Sequence, residues 1–478
     1  MSGSRCAPSG SSRPPITFGT SGWRGILGEE FTLPKARALV RAVAEQVRGP
    51  AGKDAPVRVI VAHDTRFMGE RLALEAAEVL CGAGVRPVRT AGPTPTPVAT
   101  SSVRSRRAAA GILFTASHNP PEYQGVKLVG SDGAPAARPW AEAVASRAAE
   151  ILRSGREPAR RPAPPPTDLM PAYLSRLSKQ IDCAALRRAR LSIVYDALYG
   201  TGAGVLDAWL RGAGAEVSTL HAEADPRFGG LAPDPEPARL VALSRAVRAQ
   251  GAVLGLASDG DADRFSVVTA GGRRLSESDA LALLIDHLAR QGRIRRGIAL
   301  SVATGSFPER VARAYGLDVS RFPIGFKPLS EELVAGRVDL AGEESGGFAW
   351  APVARDKDGI LAAALLVERL SLDRRSLADQ LQELRRRHGG SACGRIALPA
   401  TRARSQRLKK LSRTPPRSID RQRVTEVRRK GGLHCRLADG GFLMLRSSGT
   451  ESVLRVYAEA PTAKALAQRL ARGRALLG

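Results

Sequence analysis

Short apolar runs, each closed by turn-forming residues, recur along this chain: 57–62 (VRVIVA), 109–114 (AAGILF), 191–195 (LSIVY) and 252–256 (AVLGL). They are too short to stand as helices, and they alternate with longer helical stretches. That alternation predicts an α/β architecture built on parallel or mixed sheets. One core cannot serve all 478 residues, because a single core stops growing at roughly 250 to 300 residues. Several domains are therefore expected.

The clearest boundary is 157–167 (EPARRPAPPPT). Its prolines forbid a helix and its polar residues offer nothing to a core, so it reads as a linker. A second change falls at 270–274 (AGGRR), a turn between a strand and a helix predicted over 279–291. A third follows the helix predicted over 377–388, which ends at Gly389 and Gly390. Beyond it, 402–430 is basic and broken by proline, before strands around Leu443 and Val456. The expected division is a disordered tail at 1–15, domains at 16–156, 168–270, 271–390 and 391–478, and the linker at 157–167. Domains of about a hundred residues are of ordinary size.

Composition removes several classes of function. Hydrophobic residues make up 43% of the chain alongside 49 Gly and 32 Pro, the balance of a loop-rich globular enzyme and not of a fibrous or disordered chain. No stretch is long and apolar enough to span a bilayer, so no membrane partner is expected. The first fifteen residues lack an apolar segment, so neither a secretory signal nor a lipoprotein signal ending at Cys6 is expected. Five cysteines, far apart and never spaced as CxxC, read as free thiols in a reducing cytoplasm. The formal charge of +27 invites a nucleic-acid reading. Yet arginine is spread along the whole chain, aromatic residues for base stacking are only 4%, and no helix-turn-helix, RNA-recognition or zinc-finger pattern is present. No specific nucleic-acid partner is expected, although such a field would attract small anionic substrates and weakly hold polyanions.

Four clusters carry chemistry. The first is 115–120 (TASHNP), directly after the run 109–114. A serine at a strand exit, flanked by His118 and held by Asn119 and Pro120, is presented on a tight loop where open α/β sheets place reactive groups, so Ser117 is a candidate nucleophile. An ordinary capped turn is the competing account. A serine hydrolase fits less well, because the GxSxG elbow is absent and His118, adjacent in sequence, is poorly placed as a triad base. The second cluster is 259–264 (DGDADR), again after an apolar run. Asp259, Asp261 and Asp263 can converge on one hard cation if the loop turns at Gly260, and oxygen-only ligands favour Mg²⁺ or Ca²⁺ over zinc. An EF-hand fails: counted from Asp259, the position that needs glycine is Arg264 and the position that needs a bidentate glutamate is Ala270.

The third cluster, 342–347 (GEESGG), puts Glu343, Glu344 and Ser345 between glycines, acceptors of the kind sugar hydroxyls need. Gly-flanked acidic turns are also common surface features. The fourth, 446–451 (RSSGTE), offers one guanidinium, hydroxyls and glycine-relaxed backbone N–H groups to a phosphate dianion, and is followed by Arg455. A β-turn explains its glycine equally well.

In this order, the clusters resemble the alpha-D-phosphohexomutases, the phosphoglucomutase and phosphomannomutase superfamily. The resemblance runs from about residue 17 to residue 460 and includes FGTSGWRG at 18–25, GVKL at 125–128 and GFK at 325–327 besides the four clusters. Ordered matches with sensible spacings each need a separate explanation under any other reading. The resemblance implies three similar mixed-sheet α/β domains plus a smaller C-terminal α+β domain around a central cleft. It implies an intramolecular phosphotransferase that interconverts hexose 1-phosphate and hexose 6-phosphate through phosphorylated Ser117 and a bound hexose 1,6-bisphosphate. Asp259, Asp261 and Asp263, with Ser117, match the ligands of one Mg²⁺ per active site. Arg24, His118 and Lys127 match residues close to the transferred phosphoryl group, with Lys127 or His118 in proton transfer. Arg264, Lys327, Glu343 and Ser345 match substrate-holding positions, and Arg446, Ser448, Gly449 and Thr450 match the site of the non-reacting phosphate.

Some positions depart from the commonest family pattern. Ala262 replaces a frequent Gly, Ser447 stands where Pro or Phe is usual, Ser452 follows Glu451 in place of Pro, and Gln124 occupies a frequent Asn position. None removes a nucleophile, ligand or charge. GEESGG looks more like the glucose-type loop than the glucosamine-type GEQSGH, so glucose phosphate is expected first, mannose phosphate second and glucosamine phosphate third. A catalytically silent sugar-phosphate-binding protein is the alternative of a different class, and retention of Ser117, the three aspartates and Arg446 argues against it. The enzyme is expected to act in the cytoplasm as a monomer or homodimer.

Overall fold

The computed structural model describes residues 16–19, 22–49, 57–448 and 453–478. The tail at 1–15 and the positions Gly449 and Thr450 lie outside the described residues. Four sheets succeed one another along the chain. In the first, the strands lie in the order Trp23–Ile26, Tyr123–Gly130, Ala110–Phe114, Arg58–His63, Arg86–Arg89. The last three are parallel to one another, and Tyr123–Gly130 is antiparallel to Ala110–Phe114. The second runs Glu216–Leu220, Ser192–Asp196, Leu254–Ser258, Phe265–Thr269, and the third Val319–Phe322, Ile298–Ser301, Leu340–Gly342, Phe348–Trp350. In both, three parallel strands are followed by one antiparallel edge strand. The fourth sheet has six strands, with the helix Ala463–Leu477 packed on it. The expected α/β class, with a smaller α+β unit last, is what the chain forms.

This topology places the site. In each of the first three units, a buried parallel strand hands over to an antiparallel partner, and the connection between them is one of the chemistry-bearing clusters. TASHNP follows Ala110–Phe114, DGDADR follows Leu254–Ser258 and GEESGG follows Leu340–Gly342. RSSGTE likewise connects two antiparallel strands, Phe442–Ser447 and Val453–Ala460. Parallel strands buried on both faces need continuous apolar sequence, and the polar residues that end each run are thereby delivered to the carboxyl end of the sheet.

The predicted helix at 377–388 is the observed Leu377–His388, and the helix predicted at 279–291 is Glu277–Arg290, begun earlier by Ser276, whose Oγ accepts from Asp279 N. The stretch 402–430, expected only to be basic and proline-broken, holds a helix over Arg402–Arg413 and a strand over Gln422–Arg428. Thr401 caps that helix, Leu408 anchors it to the fourth core, and it ends before Pro415 and Pro416. The prolines therefore bound the elements and do not break them. Residues 157–167 carry neither helix nor strand, yet they run back along the first unit: Arg161 N donates to Glu78 O at 3.1 Å and Thr167 N to Arg89 O at 2.8 Å. The four described cysteines are unpaired, and among the described residues no helix is long and apolar enough to cross a membrane.

The largest buried cluster joins the second and third units and takes in Ile60, Val98 and Leu113 of the first. At its centre lies Gly359–Leu372, a helix apolar on nearly every face and correspondingly buried. Its cap, Asp358, accepts from Leu361 N and from the Tyr173 hydroxyl at 2.8 Å, which ties the second unit to the third. Burial pushes the Asp358 carboxyl up to about 7, against the pull of the Leu361 N–H and the Tyr173 hydroxyl. A carboxyl whose folded value lies above its unfolded one contributes stability below about pH 4, and loses it as the pH rises through about 7. Asp358→Asn removes that loss. The melting temperature of the variant minus that of the wild type should climb between those limits, by the equivalent of up to about 4 kcal/mol. A difference that does not change with pH would show that Asp358 is already ionised in the fold.

Candidate active site

Ser117 and the aspartate loop meet. Ser117 Oγ donates to Asp259 Oδ2 at 2.8 Å across 142 positions of sequence, and all four side chains, those of Ser117, Asp259, Asp261 and Asp263, are fully buried. Both loops are tight. Ser117 has φ 53° and Ala262 φ 56°, in the left-handed region that side chains rarely adopt. Ala262 thus explains its own departure from the family pattern: glycine is favoured where the turn between Asp261 and Asp263 needs a positive φ.

The Ser117 loop is held from behind by Arg66, which the sequence analysis did not single out. Its guanidinium donates to Ser117 O at 2.7 Å, Asn119 O at 2.5 Å, Pro120 O at 2.7 Å and Tyr123 O at 3.0 Å, and Asp64 lies 3.2 Å from its Nε. A buried charge is tolerated there because nearly all of its donors are used. The only signal in sequence is the Asp-Thr-Arg that follows Arg58–His63. In front of the loop, Arg24 donates to the side-chain Oδ1 of Asn119, and His118 Nδ1 lies 3.4 Å from Ser117 Oγ. Burial, with the charges of Arg264 and Arg24, holds His118 well below the usual imidazole range. Burial and Arg264 bring Arg24 down to about 10.

The aspartates are held by cations and hydroxyls from two other units, the first and the third. Lys127 Nζ lies 2.5 Å from Asp261 Oδ2 and 2.6 Å from Asp263 Oδ2, and Lys357 Nζ lies 3.0 Å from Asp263 Oδ2. Thr96 Oγ1 donates to Asp261 Oδ2 at 2.6 Å. Lys357 and Thr96 were also missed, since neither sits in a recognisable pattern. Burial alone would raise Asp261 and Asp263; Lys127 outweighs it at both, assisted by Lys357 at Asp263, and both end below the ordinary carboxylate range. Asp259, burdened by burial and by its two neighbouring carboxylates, is pushed well above it.

The donor set suits a hard divalent ion. One oxygen from each of the three aspartates lies within 4.8 Å of the others, and the buried Oδ1 atoms of Asp261 and Asp263 have no hydrogen-bond donor among the described residues. Oxygens turned away from lysine and left without a hydrogen-bond donor are what a cation would complete.

The remaining residues flank this centre. Arg24, His118, Arg264, Glu343, Ser345, Arg446 and Ser448 line one narrow cleft of about 60 Å³. Ser345 Oγ donates to Glu343 Oε1 at 2.5 Å, and a backbone bridge between Arg264 and Gly347 joins the aspartate loop to the glutamate loop. Arg446 faces Arg455 across the antiparallel pair, so that two guanidinium groups enter the cleft from the fourth unit. Lys327 lines an adjoining cavity of about 380 Å³ that it shares with Lys127, Asp263 and Lys357.

Three comparisons bear on this arrangement. The models of phosphoglucomutase/phosphomannomutase alpha/beta/alpha domains I, II and III match residues 15–154, 171–272 and 277–388, and that of the C-terminal domain matches 403–475. Among curated proteins, a phosphoglucomutase/phosphomannomutase of Thermococcus kodakarensis is 27% identical over 96% of this chain and 98% of its own length. A phosphoglucosamine mutase of Frankia casuarinae is 31% identical over 95% of this chain and 97% of its own. The crystal structure of a phosphoglucomutase/phosphomannomutase family protein from Burkholderia thailandensis superposes with a TM-score of 0.81 at 26% identity, covering 97% of both chains. The chain belongs to the phosphoglucomutase/phosphomannomutase family, the alpha-D-phosphohexomutases, and is an isomerase that works by phosphoryl transfer.

Proposed function

We propose that this enzyme interconverts hexose 1-phosphate and hexose 6-phosphate, with glucose phosphate preferred, through phosphorylated Ser117 and a bound hexose 1,6-bisphosphate. The observation that supports this reading is the 2.8 Å contact between Ser117 Oγ and Asp259 Oδ2, which brings a serine hydroxyl and three clustered carboxylates into one buried site. In the first half-reaction the bond between phosphorus and Ser117 Oγ breaks as a bond to the free sugar hydroxyl forms, and the hydroxyl proton leaves. After the bisphosphate has turned over, its other phosphoryl group returns to Ser117 Oγ and the product hydroxyl regains a proton. Phosphoryl transfer needs positioning and charge neutralisation more than covalent help. Arg24, Lys127 and Arg264 supply positive charge around Ser117, and His118, whose Nδ1 lies 3.4 Å from Ser117 Oγ, or Lys127 takes and gives the proton. Asp259, Asp261 and Asp263, with an oxygen of phosphorylated Ser117, would hold one Mg²⁺, which neutralises charge on the phosphoryl oxygens when bound.

The non-reacting phosphate is assigned to Arg446 and Ser448, together with Gly449 and Thr450, and the sugar hydroxyls to Glu343 and Ser345. Lys327 reaches the substrate from the adjoining cavity. A cleft of about 60 Å³ is far smaller than the roughly 300 Å³ of the smallest ordinary ligand pockets. An outward swing of the fourth unit would open this cleft to a hexose phosphate, and its return would retain the bisphosphate. Arg446→Ala should raise KM for the hexose 1-phosphate by about 10-fold to 100-fold, with a smaller loss in kcat, because a charge-assisted fork to phosphate is lost in ground and transition states alike. Steady-state kinetics in which KM did not move would take Arg446 out of the clamp.

Glucose is preferred here because the sugar loop reads GEESGG. Glucosamine phosphate is the second reading to test, since the Frankia casuarinae relative carries the name phosphoglucosamine mutase. A coupled assay on glucose, mannose and glucosamine 1-phosphates ranks the three. A kcat/KM for glucosamine 1-phosphate above that for glucose 1-phosphate would reject the preference while leaving the mutase chemistry intact. The enzyme is proposed to act on free hexose phosphates in the cytoplasm, as a monomer or homodimer and without a nucleic-acid partner.

A further inference from the structure

The amino ends of the strands in the first sheet carry a second concentration of positive charge, at the opposite end of the sheet from Ser117. Arg58 and Arg86 open neighbouring parallel strands and are direct partners in register. Arg104 closes the helix Thr96–Ser105, and Arg107, at φ 50°, turns the chain into the strand Ala110–Phe114, whose far end leads to Ser117. Arg58, Arg104 and Arg107 line a groove of about 640 Å³ together with Arg355, which comes from the third unit.

Four arginines in this groove face one acid, Asp132, whose Oδ1 is taken by Ala134 N at 2.9 Å. Among the described residues, the side chains of Arg58, Arg104 and Arg107 have no hydrogen bond or ion pair. Arg355 donates only to the Leu333 carbonyl. The arrangement is unlike that of other arginines in the third unit, such as Arg296 on Asp339 or Arg385 on Asp279. Arg104 and Arg355 are each half-buried, and Arg104 is fixed by its aliphatic stem, which packs on the backbone of Gly133. Burial, then the like charges of Arg355 and Arg176, hold Arg104 below its ordinary value. Four positive groups brought together from two units around the single carboxylate of Asp132 leave an excess of positive charge, an electrostatic cost that a bound anion would remove.

We propose that this groove is a second anion site, separate from the catalytic cleft, that binds a small anion carrying two or more adjacent phosphate groups between Arg58, Arg104 and Arg107 of the first unit and Arg355 of the third. One phosphate is satisfied by one or two guanidinium forks, so four arginines call for more than one phosphate. The groove has the volume of a small-molecule site and no aromatic residue lines it, which favours a compact polyphosphate over a nucleic-acid strand that would stack its bases.

The test is calorimetric titration of inorganic pyrophosphate into the full chain, free of divalent ions, at about 0.15 M salt. It is done in an Arg446→Ala background so that the catalytic phosphate clamp does not report. One pyrophosphate per chain is expected, with affinity falling at least about tenfold when Arg104→Gln and Arg107→Gln are added. The control pair Arg402→Gln and Arg413→Gln, which removes the same charge from the fourth unit, should leave affinity unchanged. In an otherwise wild-type chain the groove pair should also leave mutase turnover unchanged, which checks that the fold is intact. No pyrophosphate binding in the Arg446→Ala chain, equal binding by the groove variant, or an equal loss in the control pair would each overturn the proposal. So would tighter binding of single-stranded RNA than of pyrophosphate at the same groove. None of these outcomes bears on Ser117 chemistry, since the readout is binding alone.

Discussion

Ser117→Ala is expected to lower mutase turnover by about 10⁴-fold or more, while leaving the melting temperature near that of the wild type. In the proposed mechanism the loss is total in kind, because the hydroxyl oxygen is the atom that receives the phosphoryl group, and no neighbour substitutes for it: Thr115 Oγ1 is already committed to Asp261 and to Ser117 N. The fold should survive, because Arg66 holds the loop through backbone carbonyls and not through the serine side chain. Alanine is no worse than serine at φ 53°. Mass spectrometry after exposure to glucose 1,6-bisphosphate should find one phosphoryl group on Ser117 of the wild type and none on the variant. A fully active alanine variant would overturn the assignment of the nucleophile.

The second large effect concerns Lys127, whose ammonium group neutralises Asp261 and Asp263 together. Lys127→Met leaves two buried carboxylates with too little positive charge, and breaking such a pair costs about 3 to 5 kcal/mol. The variant should therefore melt well below the wild type in a chelator and recover much of the difference in millimolar Mg²⁺, because a divalent ion supplies the missing charge and binds the folded state alone. Wild type, with Lys127 and Lys357 in place, should show a much smaller dependence on Mg²⁺. Turnover of the variant should fall at least about a hundredfold even at saturating Mg²⁺, since Lys127 also stands beside the reacting centre. If the melting temperature of Lys127→Met is the same in chelator and in Mg²⁺, the three aspartates are not a cation site.

The apolar runs, the helix at Leu377–His388 and the polar clusters that end the strands were all legible before the structure, because each depends on neighbours within a few residues. The helix Arg402–Arg413 was obscured by its charge: it is held by Leu408 and by a threonine cap, and its basic residues point outward. Arg66, Thr96 and Lys357 were invisible for a different reason. Each acts on an oxygen far away in sequence, so that even the Asp-Thr-Arg at Arg66 does not show locally what its guanidinium would hold.

From its sequence alone the chain determined which chemical groups stand at the ends of its buried strands, since backbone pairing and apolar burial are decided locally and leave the next polar residues at a sheet edge. The tertiary structure alone decided that these edges face one another. Ser117 meets Asp259 across 142 positions, and Lys357 and Thr96 complete the charge and hydrogen bonding of aspartates in another unit. The physical reason is that a buried carboxylate must find its counter-charge and its donors in space, and only the packing of all the sheets brings those partners within reach.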